Sequence, residues 1–157
     1  MEKVAIFVDV QNIYYTTKQS YQRHFNYSAF WAQATADREV VAAIAYAIDK
    51  GDSKQQGFQQ ILRNIGFEVK LKPYIQRSDG SAKGDWDVGI TLDVIDYAAR
   101  VDVIILLSGD GDFGLLLDKA RSSYAVTTEV YGVPALTAPS LINVVDRFIA
   151  IDDKLLL

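Results

Sequence analysis

The residues of this sequence best able to carry out chemistry are four aspartates in three distant segments. Asp9 ends the apolar run at residues 4–8, and Asp87 lies near the start of a predicted helix. Asp110 and Asp112 follow a second apolar run. Carboxylates placed close together repel one another unless protons or a cation compensate them. Because oxygen donors prefer hard cations, this set predicts a site for Mg²⁺, Mn²⁺ or Ca²⁺.

The composition excludes several other kinds of active site. The sequence of 157 residues has no Cys and a single His, His24. Thiolate zinc sites, cysteine nucleophiles and multi-histidine metal sites are therefore excluded, and a Ser-His-Asp triad is disfavoured. Gln11, two residues after Asp9, argues against a haloacid-dehalogenase-like phosphatase, and no P-loop or GxGxxG follows the first strand.

The charge of the chain is distributed unevenly. The net charge is −4, but residues 79–118 alone carry nine aspartates and no glutamate against Lys83 and Arg100, a net charge of −7. Asp is typical of turns, helix starts and tight metal sites, whereas Glu is typical of exposed helix faces. The block therefore indicates more than a solvated acidic surface.

Apolar runs and helical patterns alternate along the chain. Strands are predicted at residues 3–9, 67–76, 101–107 and 126–131. The periodicity of residues 38–46 fits a strand or a helix, and a strand is favoured because a loop with Gly51 and Asp52 follows. Helices are predicted at residues 12–20, 27–34, 53–64, 85–100, 113–122 and 140–145. This alternation predicts an α/β fold, a three-layer sandwich with a central, mostly parallel sheet. We find no repeat or linker and expect residues 1–157 to form a single domain.

A parallel sheet explains how distant aspartates can meet. Right-handed crossovers place the carboxyl ends of all its strands at one edge, where ligands bind near the reversal of strand order. Asp9, Asp110 and Asp112 follow strands at that edge, and Asp87 lies in the first turn of a crossover helix that begins there. We therefore predict that the four carboxylates converge.

The helix that carries Asp87 shows a regular apolar face, which we expect to pack on the sheet. Its residues follow the spacing i, i+4, i+7 and i+11: Val88, Leu92, Ile95 and Ala99. Asp93 lies two turns further along, ~9 Å from Asp87, so we do not expect the two to share an ion.

The aspartates also have purely structural interpretations. We favour a helix cap for Asp85, and a cap and a metal ligand are equally consistent with Asp112. Asp9 closes a strand and is not expected to cap a helix. Gly109 and Gly111 are expected to let the backbone turn tightly enough for the two carboxylates of that loop to face one ion.

Three segments together resemble the motifs of the NYN domain family, the PIN-like group that includes the LabA-type (DUF88) bacterial proteins. They are Ile6-Phe7-Val8-Asp9-Val10-Gln11-Asn12, Lys83-Gly84-Asp85-Trp86-Asp87 continuing to Asp93, and Ser108-Gly109-Asp110-Gly111-Asp112-Phe113. The segment Asp146-Arg147-Phe148-Ile149 is similar to the closing segment of the family. The match spans nearly the whole chain in the right order.

The resemblance implies a PIN-like, Rossmannoid fold and metal-dependent cleavage of RNA. The acidic positions of the family, which would act in catalysis and hold Mg²⁺ or Mn²⁺, fall on Asp9, Asp87, Asp110 and Asp112. Asn12 matches a polar position after the first acid, and Asp93 matches the acid that ends the second motif. Asp85-Trp86 departs from the expected pattern and leaves open whether Asp85 or Asp87 faces the metal.

Other residues are candidates for contacts behind the metal ligands or with the substrate. Asn12 and Ser108 are placed to orient water or phosphate, and Lys83 to neutralise a phosphate oxygen. Asp93 is a fourth candidate for this supporting set. Single-stranded RNA is the expected partner, and residues 1–78, with a net charge of +3, offer the attraction that an acidic rim lacks. There Lys18, Arg23 and His24 lie among aromatic residues that suit base stacking. Packing against a helix or across a homodimer contact is the favoured explanation for most of these rings.

A regulatory module that binds a metal or nucleotide and acts through a protein partner is the alternative function. The apolar end Leu155-Leu156-Leu157 favours it, since exposed apolar residues indicate an interface. The longest apolar run has nine residues, fewer than the ~20 that a membrane helix needs, and the amino terminus shows no targeting signal. We therefore expect a cytoplasmic protein without a membrane partner.

Overall fold

A six-stranded parallel sheet forms the centre of the fold in the computed structural model. The structure describes the backbone of residues 1–73, 75–76, 82–83 and 85–157, and the side chains of residues 1–72 and 85–157. The strands are β1 (Glu2–Asp9), β2 (Arg38–Asp49), β3 (Glu68–Pro73), β6 (Val103–Leu107), β7 (Thr127–Gly132) and β8 (Arg147–Ala150). Their spatial order is β3-β2-β1-β6-β7-β8, and each pair of neighbours is parallel.

Helices cover both faces of the sheet. On one face lie α1 (Val10–Tyr21), α2 (Tyr27–Thr35) and α3 (Ser53–Ile65), and on the other α4 (Asp87–Ala98), α5 (Phe113–Tyr124) and the short α6 (Pro139–Ile142). Alternate residues of β1 enter the two cores, with Ile6 in one and Phe7 in the other. The predicted three-layer α/β sandwich is confirmed.

The two central strands have fully buried apolar segments. Residues 4–8 of β1 and the whole of β6 are buried, because each strand has helices on both faces and strands on both sides. Such strands read as continuous apolar runs rather than as alternating patterns. This is why both could be recognised from the sequence.

The order of the strands reverses between β1 and β6. The chain proceeds outward from β1 through β2 to β3, returns through α4 to β6 beside β1, and proceeds the other way to β8. In open α/β sheets ligands bind at the carboxyl ends of the strands next to such a reversal. Asp9 is the last residue of β1 and therefore lies at this place.

The predicted strand at residues 67–76 is divided in the structure. β3 ends at Pro73, and Ile75–Gln76 forms a second short strand, β4. It pairs antiparallel with β5 (Ala82–Lys83) in a separate two-stranded sheet. The division of the run after Pro73 agrees with the inability of proline to donate a ladder hydrogen bond.

The expectation for the buried face of α4 is wrong. Val88 and Leu92 are 70% and 65% exposed, whereas the face toward the sheet consists of Ile90, Val94 and Ala98. Both sets are spaced regularly along the helix, so periodicity alone could not choose between them. The rotation is fixed by hydrogen bonds from residues of α4 and its first turn to the sheet, described below.

The expectation of an exposed apolar carboxyl end is also wrong for two of its three leucines. Leu155 and Leu156 are buried in the core on the α1 side, and only Leu157 is exposed. Phe25 forms an isolated bridge with Leu156 and is buried with Phe30 in the same core. No helix among the described residues is long and apolar enough to cross a membrane.

Candidate metal centre

Three carboxylates from two segments meet at the carboxyl edge of the sheet. Asp87 is the first residue of α4, and Asp110 and Asp112 lie in the loop between β6 and α5. Each offers one oxygen, and these three oxygens lie within 4.8 Å of one another. Asp87 and Asp110 are partly buried, whereas Asp112 is exposed. The opening to solvent leaves a path for an ion and a substrate.

Asp9, the fourth carboxylate predicted to converge, lies outside this group of three and adjoins it from the β1 side. Its Oδ2 accepts a hydrogen bond from the Ser108 hydroxyl at 3.3 Å, and its Oδ1 accepts one from the Asn12 N–H at 3.4 Å. Asp9 is therefore the N-cap of α1, contrary to the expectation, because α1 begins at Val10 rather than at Asn12. The same carboxylate serves both the helix and the acidic group.

Ser108 and Asn12 join the first helix to the loop after β6. The Ser108 hydroxyl, which is buried, accepts a hydrogen bond from the Asp110 N–H at 3.2 Å, so it lies between Asp9 and Asp110. The Asn12 Oδ1 accepts one from the Gly109 N–H at 2.9 Å. Both residues were predicted to orient water or phosphate. In the structure, both side chains accept hydrogen bonds from backbone N–H groups of the acidic loop.

The negative charges of the cluster act on one another. Burial, together with the neighbouring charges of Asp110, Asp85, Asp9 and Asp112, raises the pKa of Asp87 to about 6. Burial also raises the pKa of Asp9 to about 6, against the lowering effect of the bonds from Asn12 and Ser108. A cation bound among these groups would relieve the repulsion.

The donors available in the group fit Mg²⁺ or Mn²⁺. They are carboxylate oxygens, the hard ligands that both ions prefer. The loop also orients them, since Asp110 Oδ1 accepts a hydrogen bond from the Asp112 N–H at 2.9 Å. That bond holds one carboxylate oxygen of Asp110 against the loop backbone.

The structure distinguishes the capping interpretations. Asp112 occupies the N-cap position of α5, but its side chain makes no capping bond. Asp85 was expected to cap the helix, but the N-cap position of α4 is Trp86. The exposed carboxylate of Asp85 accepts a 3.4 Å hydrogen bond from the Asp87 N–H, and Asp87 rather than Asp85 belongs to the group of three.

Trp86 anchors the first turn of α4, a role that the sequence analysis missed. Its indole N–H donates to the Ala47 carbonyl at 2.9 Å, and its ring packs against Tyr46. Lys72 lies over the ring, 4.4 Å from the centroid of the indole, and donates to the Asp85 carbonyl. The available signal was Gly89 three residues later, where an added Cβ would come within 2.6 Å of the ring.

Asp93 makes a separate structural contact. Its Oδ2 accepts hydrogen bonds from the Tyr46 hydroxyl and from Lys70 Nζ, both at 2.7 Å. These bonds fasten α4 to β2 and β3 and leave this carboxylate outside the group of three. The other predicted supporting residue, Lys83, has a side chain that lies outside the described part of the chain.

The two glycines of the loop are needed for a different reason than expected. Neither Gly109 nor Gly111 has a positive φ. A Cβ on Gly109 would lie 2.6 Å from the Leu136 carbonyl oxygen, and one on Gly111 would lie 2.8 Å from both the Ala138 Cβ and the Ser140 Oγ. They allow the acidic loop to approach residues 136–140 closely.

We expect the Asp9→Asn variant to be more stable than the wild type at neutral pH without metal. The folded state holds the Asp9 proton more tightly, since its pKa is about 6 against an ordinary 3.8. The resulting stability is fully present below about pH 4 and is lost as the pH rises through about 6. Asparagine carries no charge, so urea unfolding in EDTA at about pH 7.5 should show a gain on the order of 2–3 kcal/mol.

The same comparison at about pH 4 is the control, because both side chains are then neutral and the difference should largely vanish. A wild type as stable as the variant at neutral pH would show that the ionised carboxylate carries no burial cost.

The sequence is similar to those of known proteins over nearly its whole length. The model of the NYN domain family matches residues 3–152. The chain is 29% identical over 162 residues to the low amplitude and bright protein LabA of Synechococcus elongatus, covering 96% of this chain and 84% of that protein.

Two solved structures resemble this one in fold. A crystal structure of a Vibrio parahaemolyticus protein of unknown function superposes with a TM-score of 0.95 at 59% identity, covering 99% of this chain and 96% of that one. Ribokinase from Giardia lamblia shares the fold alone, with a TM-score of 0.52 at 11% identity over 98% of this chain and 58% of its own.

Proposed function

This chain belongs to the NYN domain family, whose members are generally PIN-like nucleases, and we propose that it is a metal-dependent ribonuclease acting on single-stranded RNA. The observation that carries the proposal is the meeting of Asp87, Asp110 and Asp112 at the reversal of strand order. An acidic group at that place is costly to the fold unless a cation or a reaction requires it. We propose as well that it acts in the cytoplasm.

The carboxylates would bind the metal, and the neighbouring polar residues would position them. Asp87, Asp110 and Asp112 would hold Mg²⁺ or Mn²⁺, with Asp9 as the fourth carboxylate on the β1 side. When bound, such an ion lowers the pKa of water and stabilises charge on the phosphate that is cleaved. Ser108 and Asn12 would keep Asp9 and the loop in register, because each bonds to both sides of the site.

Manganese should stabilise the folded protein in the absence of RNA. An ion that binds only the folded state adds about 2.7 kcal/mol at a hundred times its Kd, which for a chain of this size corresponds to about 5–10 °C in Tm. Thermal unfolding with Mn²⁺ and with EDTA measures the shift, and labelled single-stranded RNA in the same two buffers measures cleavage. We expect the shift and the cleavage to occur together.

A second function is favoured by one observation. Val88 and Leu92 on α4 and Leu115 on α5 are 70%, 65% and 83% exposed, and Val88 and Leu115 lie within three residues of Asp87 and Asp112 in the chain. Exposed aliphatic side chains of this size suit a protein partner, as a regulatory module would require. A purified wild type that binds Mn²⁺ and leaves every RNA intact would favour this module and contradict the ribonuclease.

A further inference from the structure

The outer face of α1 carries two exposed aromatic rings. Tyr14 and Tyr15 are 41% and 51% exposed, whereas Ile13 and Thr17 of the same helix are buried against the sheet. The two rings pack edge to face with their centroids 5.3 Å apart. Tyrosines are amphipathic, but two neighbouring rings in water leave apolar surface uncovered that a flat partner can cover.

Positive charge accompanies these rings. Lys18 Nζ lies 5.5 Å from the centroid of the Tyr14 ring, and the His24 ring is stacked on Tyr14 at 6.0 Å with an interplanar angle of 27°. Residues 10–36 contain no Asp or Glu, in contrast to the acidic block that follows later in the chain. Arg23 is engaged elsewhere, in an ion pair with Asp153.

This face begins at the candidate metal centre. Asp9 caps α1, and the side chain of Asn12 in its first turn bonds to the Gly109 N–H of the acidic loop. Tyr15 lies six residues after Asp9, ~9 Å along the helix axis at ~1.5 Å per residue. Stacked nucleotides rise ~3.4 Å each, so about three nucleotides span this distance.

We propose that Tyr14, Tyr15 and Lys18 form a binding surface for single-stranded RNA that leads away from the metal centre, with bases stacked on the two rings. The inference deepens the proposed ribonuclease function and rests on it. A single strand fits because its bases are free to stack on aromatic rings, whereas the bases of a duplex are not.

The chemistry of the surface favours RNA over a protein partner. It combines aromatic rings with the Lys18 cation on a segment, residues 10–36, that contains no Asp or Glu, so it complements a phosphate backbone and supplies attraction that the aspartates cannot. The exposed aliphatic residues Val88, Leu92 and Leu115, which suit a protein partner, lie instead on α4 and α5 on the opposite face of the sheet.

Binding of a fluorescent single-stranded RNA in EDTA tests the proposal without cleavage. The Tyr14→Ala and Tyr15→Ala variants should each bind about 5- to 100-fold more weakly, as expected for the loss of one stacked base. Tyr15→Phe should bind like the wild type, because the ring rather than the hydroxyl does the stacking. Tyr124→Ala is the matched control, a 39% exposed tyrosine at the end of α5.

The same RNA strand annealed to its complement separates stacking from a general defect. A loss confined to the single strand supports the proposal, whereas an equal loss on single strand and duplex contradicts it. Unchanged affinity of both alanine variants overturns it and leaves the face to a protein partner. If the wild type cleaves RNA with Mn²⁺ and the alanine variants bind RNA normally, the binding surface on α1 is wrong and the ribonuclease proposal stands. If the wild type binds RNA without cleaving it, the ribonuclease proposal fails.

Discussion

Replacing Asp110 with asparagine should reduce metal-dependent cleavage of RNA by at least about a hundredfold. Asp110 is the carboxylate with the most connections in the site, since its charge raises the pKa of both Asp9 and Asp87 and one of its oxygens lies in the group of three. Asparagine keeps a carbonyl oxygen to accept the bond from the Asp112 N–H. The loop can therefore fold while the site loses one negative charge.

Two measurements separate this effect from misfolding. The thermal shift caused by Mn²⁺ should shrink in Asp110→Asn, while its Tm in EDTA should equal or exceed that of the wild type. Asp118→Asn is the matched control, an exposed aspartate of the same acidic block that lies on α5 outside the group of three. Equal loss of cleavage in the control, or none in Asp110→Asn, would contradict the assignment of activity to this cluster.

The Gly109→Ala substitution should destabilise the protein and weaken metal binding together. The new Cβ would lie 2.6 Å from the Leu136 carbonyl oxygen and 3.2 Å from the Thr137 Cα. Both are backbone atoms, so the clash cannot be relieved by turning a side chain. We expect a loss of about 1–3 kcal/mol in the free energy of unfolding and a displacement of the loop that carries Asp110.

Gly57→Ala is the matched control and should have the opposite sign. Gly57 lies inside α3, and a Cβ there would meet no atom within 4 Å. Alanine in an exposed helix interior should add about 0.5–1 kcal/mol. Urea unfolding of both variants, with Mn²⁺ titration of each, measures the two effects. A Gly109→Ala variant with the stability and the metal affinity of the wild type would show that the close approach to residue 136 is not needed.

The convergence of the acids was predictable because it depends on where buried strands stop. The runs that became β1 and β6 are apolar to their last residues, and Asp9 and Asp110 follow them at the edge that parallel topology fixes. The second role of Asp9 was not predictable in the same way. It depends on α1 starting at Val10, two residues earlier than the pattern indicated, and helix boundaries are the least certain feature of such a pattern.

The rotation of α4 could not be predicted from its own residues. It is fixed by the bond from Trp86 to Ala47 and by the bond from Tyr46 to Asp93, whose partners are 39 and 47 residues apart in the chain. Local periodicity contains no information about such pairs. The need for glycine at position 109 could not be predicted either, because the backbone that Gly109 approaches belongs to residues 136 and 137.

The reversal of strand order divides the acidic group between the two halves of the sheet. Asp9 belongs to the half with β1, β2 and β3, Asp110 and Asp112 belong to the half with β6, β7 and β8, and Asp87 stands on the crossover between them. Neither half alone therefore contains all four carboxylates. A divalent ion bound at the boundary between β1 and β6 would cross-link the two halves of the sheet. It would do so in a chain that has no cysteine and therefore cannot form a disulfide.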